Sequence, residues 1–102
     1  MSDELSDEEI NEKLEELDIW GIDIYKLVTR IEFENYMEAV FFANTVFSIA
    51  QEEFHHPEVK VEYGAVEIDL WDHEAEGITE KDLEMAERIE QKVKNIEWED
   101  GE

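Results

Sequence analysis

Ile10, Leu14 and Leu17 recur at spacings of four and three residues with acids between them, the period of a helix that buries one face. Its start is marked by Ser6 and Glu9, whose S-x-x-E spacing lets each side chain cap the other's backbone N–H. From Trp20 the period shortens: Leu27, Thr29, Ile31 and Phe33 alternate with Val28, Arg30 and Glu32, as in a half-buried strand. Gly21 to Asp23 is expected to turn a short preceding strand into it. Glu34 to Glu53 reads as the most apolar helix, with Tyr36, Ala39, Val40, Ala43, Val46, Phe47 and Ala50 on one broad face. Met37 and Phe41 lie off that face, so the helix carries a second apolar surface that a subunit contact would bury most economically.

The lone proline, Pro57, biases His56 away from the helical region and predicts a helix end near His55. A hairpin follows: Val59, Val61 and Tyr63 alternate with Lys60 and Glu62, Gly64-Ala65 turns the chain, and Val66, Ile68 and Leu70 alternate with Glu67, Asp69 and Trp71. After Gly77 a last helix begins at Thr79, with Ala86, Ile89, Val93 and Ile96 as its inner stripe. The polar ends, 1–5 and 97–102, are expected to fray. The order is α-β-β-α-β-β-α, and the short connections favour antiparallel hairpins over parallel crossovers. The expected fold is a two-layer α+β domain spanning residues 1–102.

Composition narrows what such a domain can do. Of its 102 residues 31 are acidic and 8 are Lys or Arg, a formal charge of −23, so nucleic acid, an anionic membrane leaflet and phosphorylated substrates are all disfavoured. The chain is still 42% hydrophobic and 11% aromatic, which separates it from a disordered acidic tail. Without cysteine it has no disulfide, no thiolate nucleophile and no Cys-ligated metal. Neither a leader-like N-terminus nor an apolar run of membrane-spanning length is present, so the expected location is cytoplasmic.

All three histidines, His55, His56 and His73, lie in the middle third, two at a helix end and one just past the following hairpin. A hairpin returns its far end to the level of its start, so the three can converge. Imidazole both gives and takes protons near neutrality, which suits acid–base catalysis, although any one of them taken alone is more simply a surface or helix-end residue. A metal site built with Asp72, Glu74 or Asp82 is disfavoured, because adjacent extended residues such as His55 and His56 point to opposite sides and no His-x3-His is present. Neither Ser48 nor Thr79 has a nucleophile context such as G-x-S-x-G, and the four glycines form no phosphate loop.

His55-His56-Pro57-Glu58, Tyr63 six residues after the proline, His73 ten further on and Asp82 beyond it resemble the pattern of the pterin-4a-carbinolamine dehydratases. The similarity extends from the Leu-rich first helix through Trp20 and Phe33-Glu34-Asn35-Tyr36 to Ile89, most of the chain. The resemblance implies a four-stranded antiparallel sheet backed by helices. It also implies a hydro-lyase that removes water from 4a-hydroxytetrahydropterin to give quinonoid dihydropterin in tetrahydrobiopterin-type recycling, with neither cofactor nor metal. On that basis His55 and His73 form the acid–base pair, His56 orients the pterin, and Asp82 supports the site. Glu58, Tyr63 and Gln51 are further substrate-binding or supporting candidates. Asp82 also stands at the third helical position after Thr79, where capping is its main expected work. Glu58 at a strand start is more simply solvated, and Tyr63 more simply packs at the hairpin. Gln51 stands where many family members carry an acid, and Asp72 where Ser or Thr is usual. A homodimer or homotetramer is expected. The alternative is a non-catalytic protein on the same fold, since some relatives are Rubisco assembly factors and the animal proteins are dimerisation cofactors of a homeodomain transcription factor.

Overall fold

A computed structural model describes residues 5–95. Helix α1 (Asp7–Leu14) starts on the Ser6–Glu9 capping box, which is complete in both directions. Strand β1 (Gly21–Asp23) is joined to β2 (Lys26–Glu32) by Ile24 and Tyr25, with Ile24 at φ 60°. Gly21 to Asp23 is therefore the short strand itself, and the reversal falls two residues later than the glycine suggests. Helix α2 (Tyr36–Glu53) is capped by Asn35, whose side chain accepts from the Glu38 N–H. The hairpin β3 (Glu58–Glu62) and β4 (Ala65–Leu70) follows, and helix α3 (Glu80–Asn95) completes the order α-β-β-α-β-β-α.

The sheet is antiparallel throughout, with strand order β1-β2-β4-β3. Its register pairs Leu27 with Leu70, Thr29 with Ile68 and Ile31 with Val66, so one face turns its apolar side chains towards the helices. The opposite face is charged: Arg30 bridges Glu67 at 2.6 Å and Glu62 at 2.9 Å. Both glutamates hold the Arg30 guanidinium above its ordinary pKa, Glu62 contributing most. At the hairpin tip the Phe33 N–H donates to the Gly64 carbonyl, and a Cβ at Gly64 would lie 3.2 Å from the Phe33 oxygen. That approach favours glycine there.

Two readings of the helices change. Helix α2 buries Ala39, Phe42, Ala43, Val46, Ile49 and Ala50, whereas Tyr36 and Phe47, expected inside, are exposed. The helix is apolar nearly all round, so its period does not single out the face that meets the sheet. It also ends at Glu53, earlier than Pro57 alone predicts, because Phe54 adopts the left-handed region (φ 53°, ψ 40°) and its N–H closes on the Ala50 carbonyl. Of the inner stripe expected for α3, Ala86 and Ile89 are buried and Val93 is half-buried, while Ile96 and the tail 97–102 lie outside the described residues. Leu5, expected to fray, donates its N–H to the Ile78 carbonyl at 3.0 Å and packs on the core.

Helix α3 also fastens the segment between α1 and β1. Glu90 is buried, and its carboxylate accepts from the Asp18 N–H at 2.9 Å and the Ile19 N–H at 3.1 Å. One turn earlier the Ala86 carbonyl accepts from Trp20 Nε1 at 3.0 Å. No helix among the described residues is long and apolar enough to cross a membrane.

Candidate active site

Three segments leave the same end of the sheet. The β3–β4 register pairs Glu58 with Asp69, so the residues before β3, His55 to Pro57, and those after β4, Trp71 to His73, emerge side by side as the hairpin argument requires. Helix α3 brings its first turn to the same end through the link from His73 to Thr79. An Asp72–Gly77 bridge closes that link, and Asp72 Oδ1 accepts from the Glu74 and Ala75 N–H groups, both at 2.8 Å. Asp72 thus holds the backbone of its own loop just after His73.

Each histidine has a different anchor. His55 follows the left-handed Phe54, which swings the chain off the helix and turns the imidazole inward, where its side chain is 11% exposed. There Nε2 contacts Asp82 Oδ1. Asp82 is fully buried, and its other oxygen accepts from the Thr79 N–H at 2.8 Å and the Thr79 hydroxyl at 3.1 Å. The carboxylate therefore divides its work, one oxygen capping α3 and the other holding His55. Capping alone is too narrow an account of it. With Nε2–H donated to this acceptor, neutral His55 presents the lone pair of Nδ1.

Exposed His56 touches the Gln51 amide oxygen through Nε2 at 3.4 Å, so Gln51 reaches the second histidine as a neutral partner. His73 is exposed and stacks on Trp71, centroids 4.4 Å apart and planes 29° from parallel. The histidines converge on one end of the sheet without hydrogen-bonding to one another among the described residues.

Arg88 spans from α3 to the end of α2, donating to Glu53 at 2.6 Å and Glu52 at 2.8 Å. Glu52 and then Glu53 raise its pKa. This clamp holds the two helices whose neighbouring residues are His55 and Asp82. Sequence reasoning passed over Arg88 because its partners lie 35 and 36 residues away. Trp71 reads as an ordinary strand position because it continues the β4 alternation, although it lies just past the end of that strand and stacks on His73 two residues on.

The remaining candidates stand apart. Glu58 is exposed at the start of β3. Tyr63 lies at the hairpin tip, the length of β3 away from the histidines, and stacks on Tyr36 with centroids 6.4 Å apart. Among the described residues no group of three or more His, Asp or Glu side chains is placed to hold a metal ion. The arrangement offers a fixed imidazole, a second held by an amide and a third held by an indole, a set suited to moving protons between two atoms of a small molecule.

Comparison with known proteins bears on this arrangement. The family profile described as Pterin 4 alpha carbinolamine dehydratase matches residues 3–92. A protein of Natronomonas pharaonis assigned to the pterin-4-alpha-carbinolamine dehydratases is 43% identical over 91 residues, 89% of this chain and 97% of that one. One from Aquifex aeolicus with the same assignment is 35% identical, covering 90% and 93% of the two chains. The crystal structure of a transcriptional coactivator/pterin dehydratase from Brucella melitensis superposes with a TM-score of 0.80 at 30% identity, over 85% of this chain and 95% of that one. A pterin dehydratase-like protein described as a RuBisCO assembly factor in the alpha-carboxysome shares the fold alone, with a TM-score of 0.60 at 22% identity over 74% and 89% of the two chains.

Proposed function

Given that the chain belongs to the pterin-4a-carbinolamine dehydratase family, we propose that it removes water from 4a-hydroxytetrahydropterin with His55 and His73 as its acid–base pair. The observation that carries this reading is the His55–Asp82 pair: a buried carboxylate, capped on its other oxygen, fixes one imidazole with a nitrogen lone pair to spare. In the reaction the bond from C4a to its hydroxyl breaks and the oxygen leaves as water, carrying a proton supplied by an acid. A base removes the proton from the neighbouring ring nitrogen, whose electron pair forms the new double bond to C4a. His55, with Nδ1 as acceptor, serves as the base, and His73 serves as the acid. His56, held by Gln51, orients the ring. A pterin ring is essentially uncharged, so the acidic surface presents it no barrier.

The test is a dehydration assay with 4a-hydroxytetrahydropterin on the full chain and on His55→Ala and His73→Ala. The expected result is a rate well above background, with each variant lowered by about 10²- to 10⁴-fold. A folded parent at the background rate would refute the dehydratase and leave a binding protein on this fold. Normal activity in one variant would refute only that residue's role.

The oligomer belongs to the same proposal. Tyr36, Met37, Phe41 and Phe47 are exposed on α2, and residues 39–51 carry no charge in a chain of −23. A second copy of so acidic a chain docks with least repulsion where neither copy is charged. Solution mass is expected to fall in Phe41→Glu, and a monomeric parent at low and high salt would refute the contact.

A further inference from the structure

We infer that Trp71 is a positioning residue for His73, fixing by stacking an imidazole that no hydrogen bond among the described residues fixes; this rests on the dehydratase reading of the same site. The last β2–β4 pair is Leu27 with Leu70, so continuing the register sets Lys26 across from Trp71. Lys26 Nζ lies 4.3 Å from the Trp71 ring centroid and 3.7 Å from Asp69 Oδ2, held between an aromatic face and a carboxylate. Tyr25 meets the indole edge-on, centroids 6.2 Å apart and planes 85° apart. Trp71 is thereby gripped from the adjoining strand and half-buried.

His73 differs from its two counterparts. Among the described residues its imidazole has a ring partner, Trp71, with centroids 4.4 Å apart, and no hydrogen-bond or ion-pair partner, whereas His55 has Asp82 and His56 has Gln51. Its backbone is set by the Asp72 loop, but an exposed imidazole on a fixed backbone still samples several staggered rotamers. The indole face selects among them. Proton delivery needs a ring nitrogen within hydrogen-bond reach of the leaving oxygen, so the fraction of time spent in the stacked rotamer enters the rate directly. An aromatic pair shifts such a population by roughly two- to tenfold.

The experiment combines kinetics with ring-proton NMR on the full chain, with the His73 resonances assigned through His73→Gln. In the parent, the indole ring current moves the His73 ring protons upfield of those of His56. In Trp71→Leu that displacement vanishes and kcat falls roughly two- to tenfold with KM little changed; Trp71→Phe, which keeps an aromatic face and the fold, recovers part of both. His73 resonances in one place in the parent and Trp71→Leu would overturn the inference. So would an unchanged kcat in Trp71→Leu. A parent that shows the ring-current displacement and no dehydration above background would instead overturn the dehydratase reading, and with it any catalytic use of the stack.

Discussion

Replacing Asp82 by asparagine separates the two tasks of the buried carboxylate. The amide oxygen can still accept from the Thr79 N–H, now at 2.8 Å, so the cap on α3 survives. Towards His55 the roles reverse. An amide NH₂ in place of Oδ1 donates, so Nε2 must accept, and the imidazole proton moves to Nδ1. The lone pair assigned to take the pterin proton is then replaced by an N–H. Activity is expected to fall by about 10²- to 10⁴-fold, the worth of a positioned general base. The stability cost is smaller, because a charge-assisted bond becomes a neutral one and no buried group is orphaned, a loss of about 1–2 kcal/mol. For a domain of this size that lowers Tm by roughly 5–15 °C. Asp82→Ala, which strips partners from His55 and Thr79 together, should cost about 3–5 kcal/mol. Urea unfolding and the dehydration assay measure the two effects separately. Asp82→Asn with activity within twofold of the parent would refute the tautomer argument. So would an Asp82→Asn/His55→Ala double variant much slower than His55→Ala alone, since the aspartate would then be acting on something other than His55.

Glu90→Ala leaves the Asp18 and Ile19 N–H groups without their acceptor and should cost about 3–5 kcal/mol in urea, with Glu90→Gln intermediate. Phe54→Gly should raise the urea midpoint by about 0.5–1 kcal/mol in stability, since Phe54 is 78% exposed and left-handed backbone is strained for any side chain; a fall would show that its ring is covered in the assembled protein. Asp18 at 2.7 Å and then Glu90 hold the Lys94 ammonium above the ordinary lysine range. Because the folded-state pKa is raised, this stabilisation is complete below the unfolded-chain value and is lost as pH rises through the folded one. The stability gap between parent and Lys94→Met should therefore be level from neutral to mildly alkaline pH and close at strongly alkaline pH, as followed by thermal unfolding.

Local rules read well in this sequence. The Ser6–Glu9 box and the helix start after Thr79 each depend on residues a few positions apart and stand as expected, while the hairpin turn falls at Tyr63-Gly64, one residue before the expected Gly64-Ala65, so that Glu62 pairs with Ala65. The histidine cluster was legible through the hairpin and through the family's spacing. What was not legible depends on partners far along the chain. Glu90 lies on a helix rich in acids and is buried only because two backbone N–H groups, 71 and 72 residues earlier, need an acceptor. Tyr36 and Phe47 read as core in the sequence because an almost wholly apolar helix has no polar side to mark its outside. The left-handed Phe54 has no glycine or asparagine to announce it.

The placement of Glu90, Ala86 and Asp82 one turn apart along α3 also has a consequence for the order of synthesis. Asp18, Trp20 and His55 are all made before the groups that fasten them, by 27 residues for His55 and by 66 or more for the others. A nascent chain that has just passed His73 holds its three histidines without a carboxylate behind His55. His55 is thus fixed only when α3 arrives, and on the proposed dehydratase reading partly made chains carry the histidines without the activity.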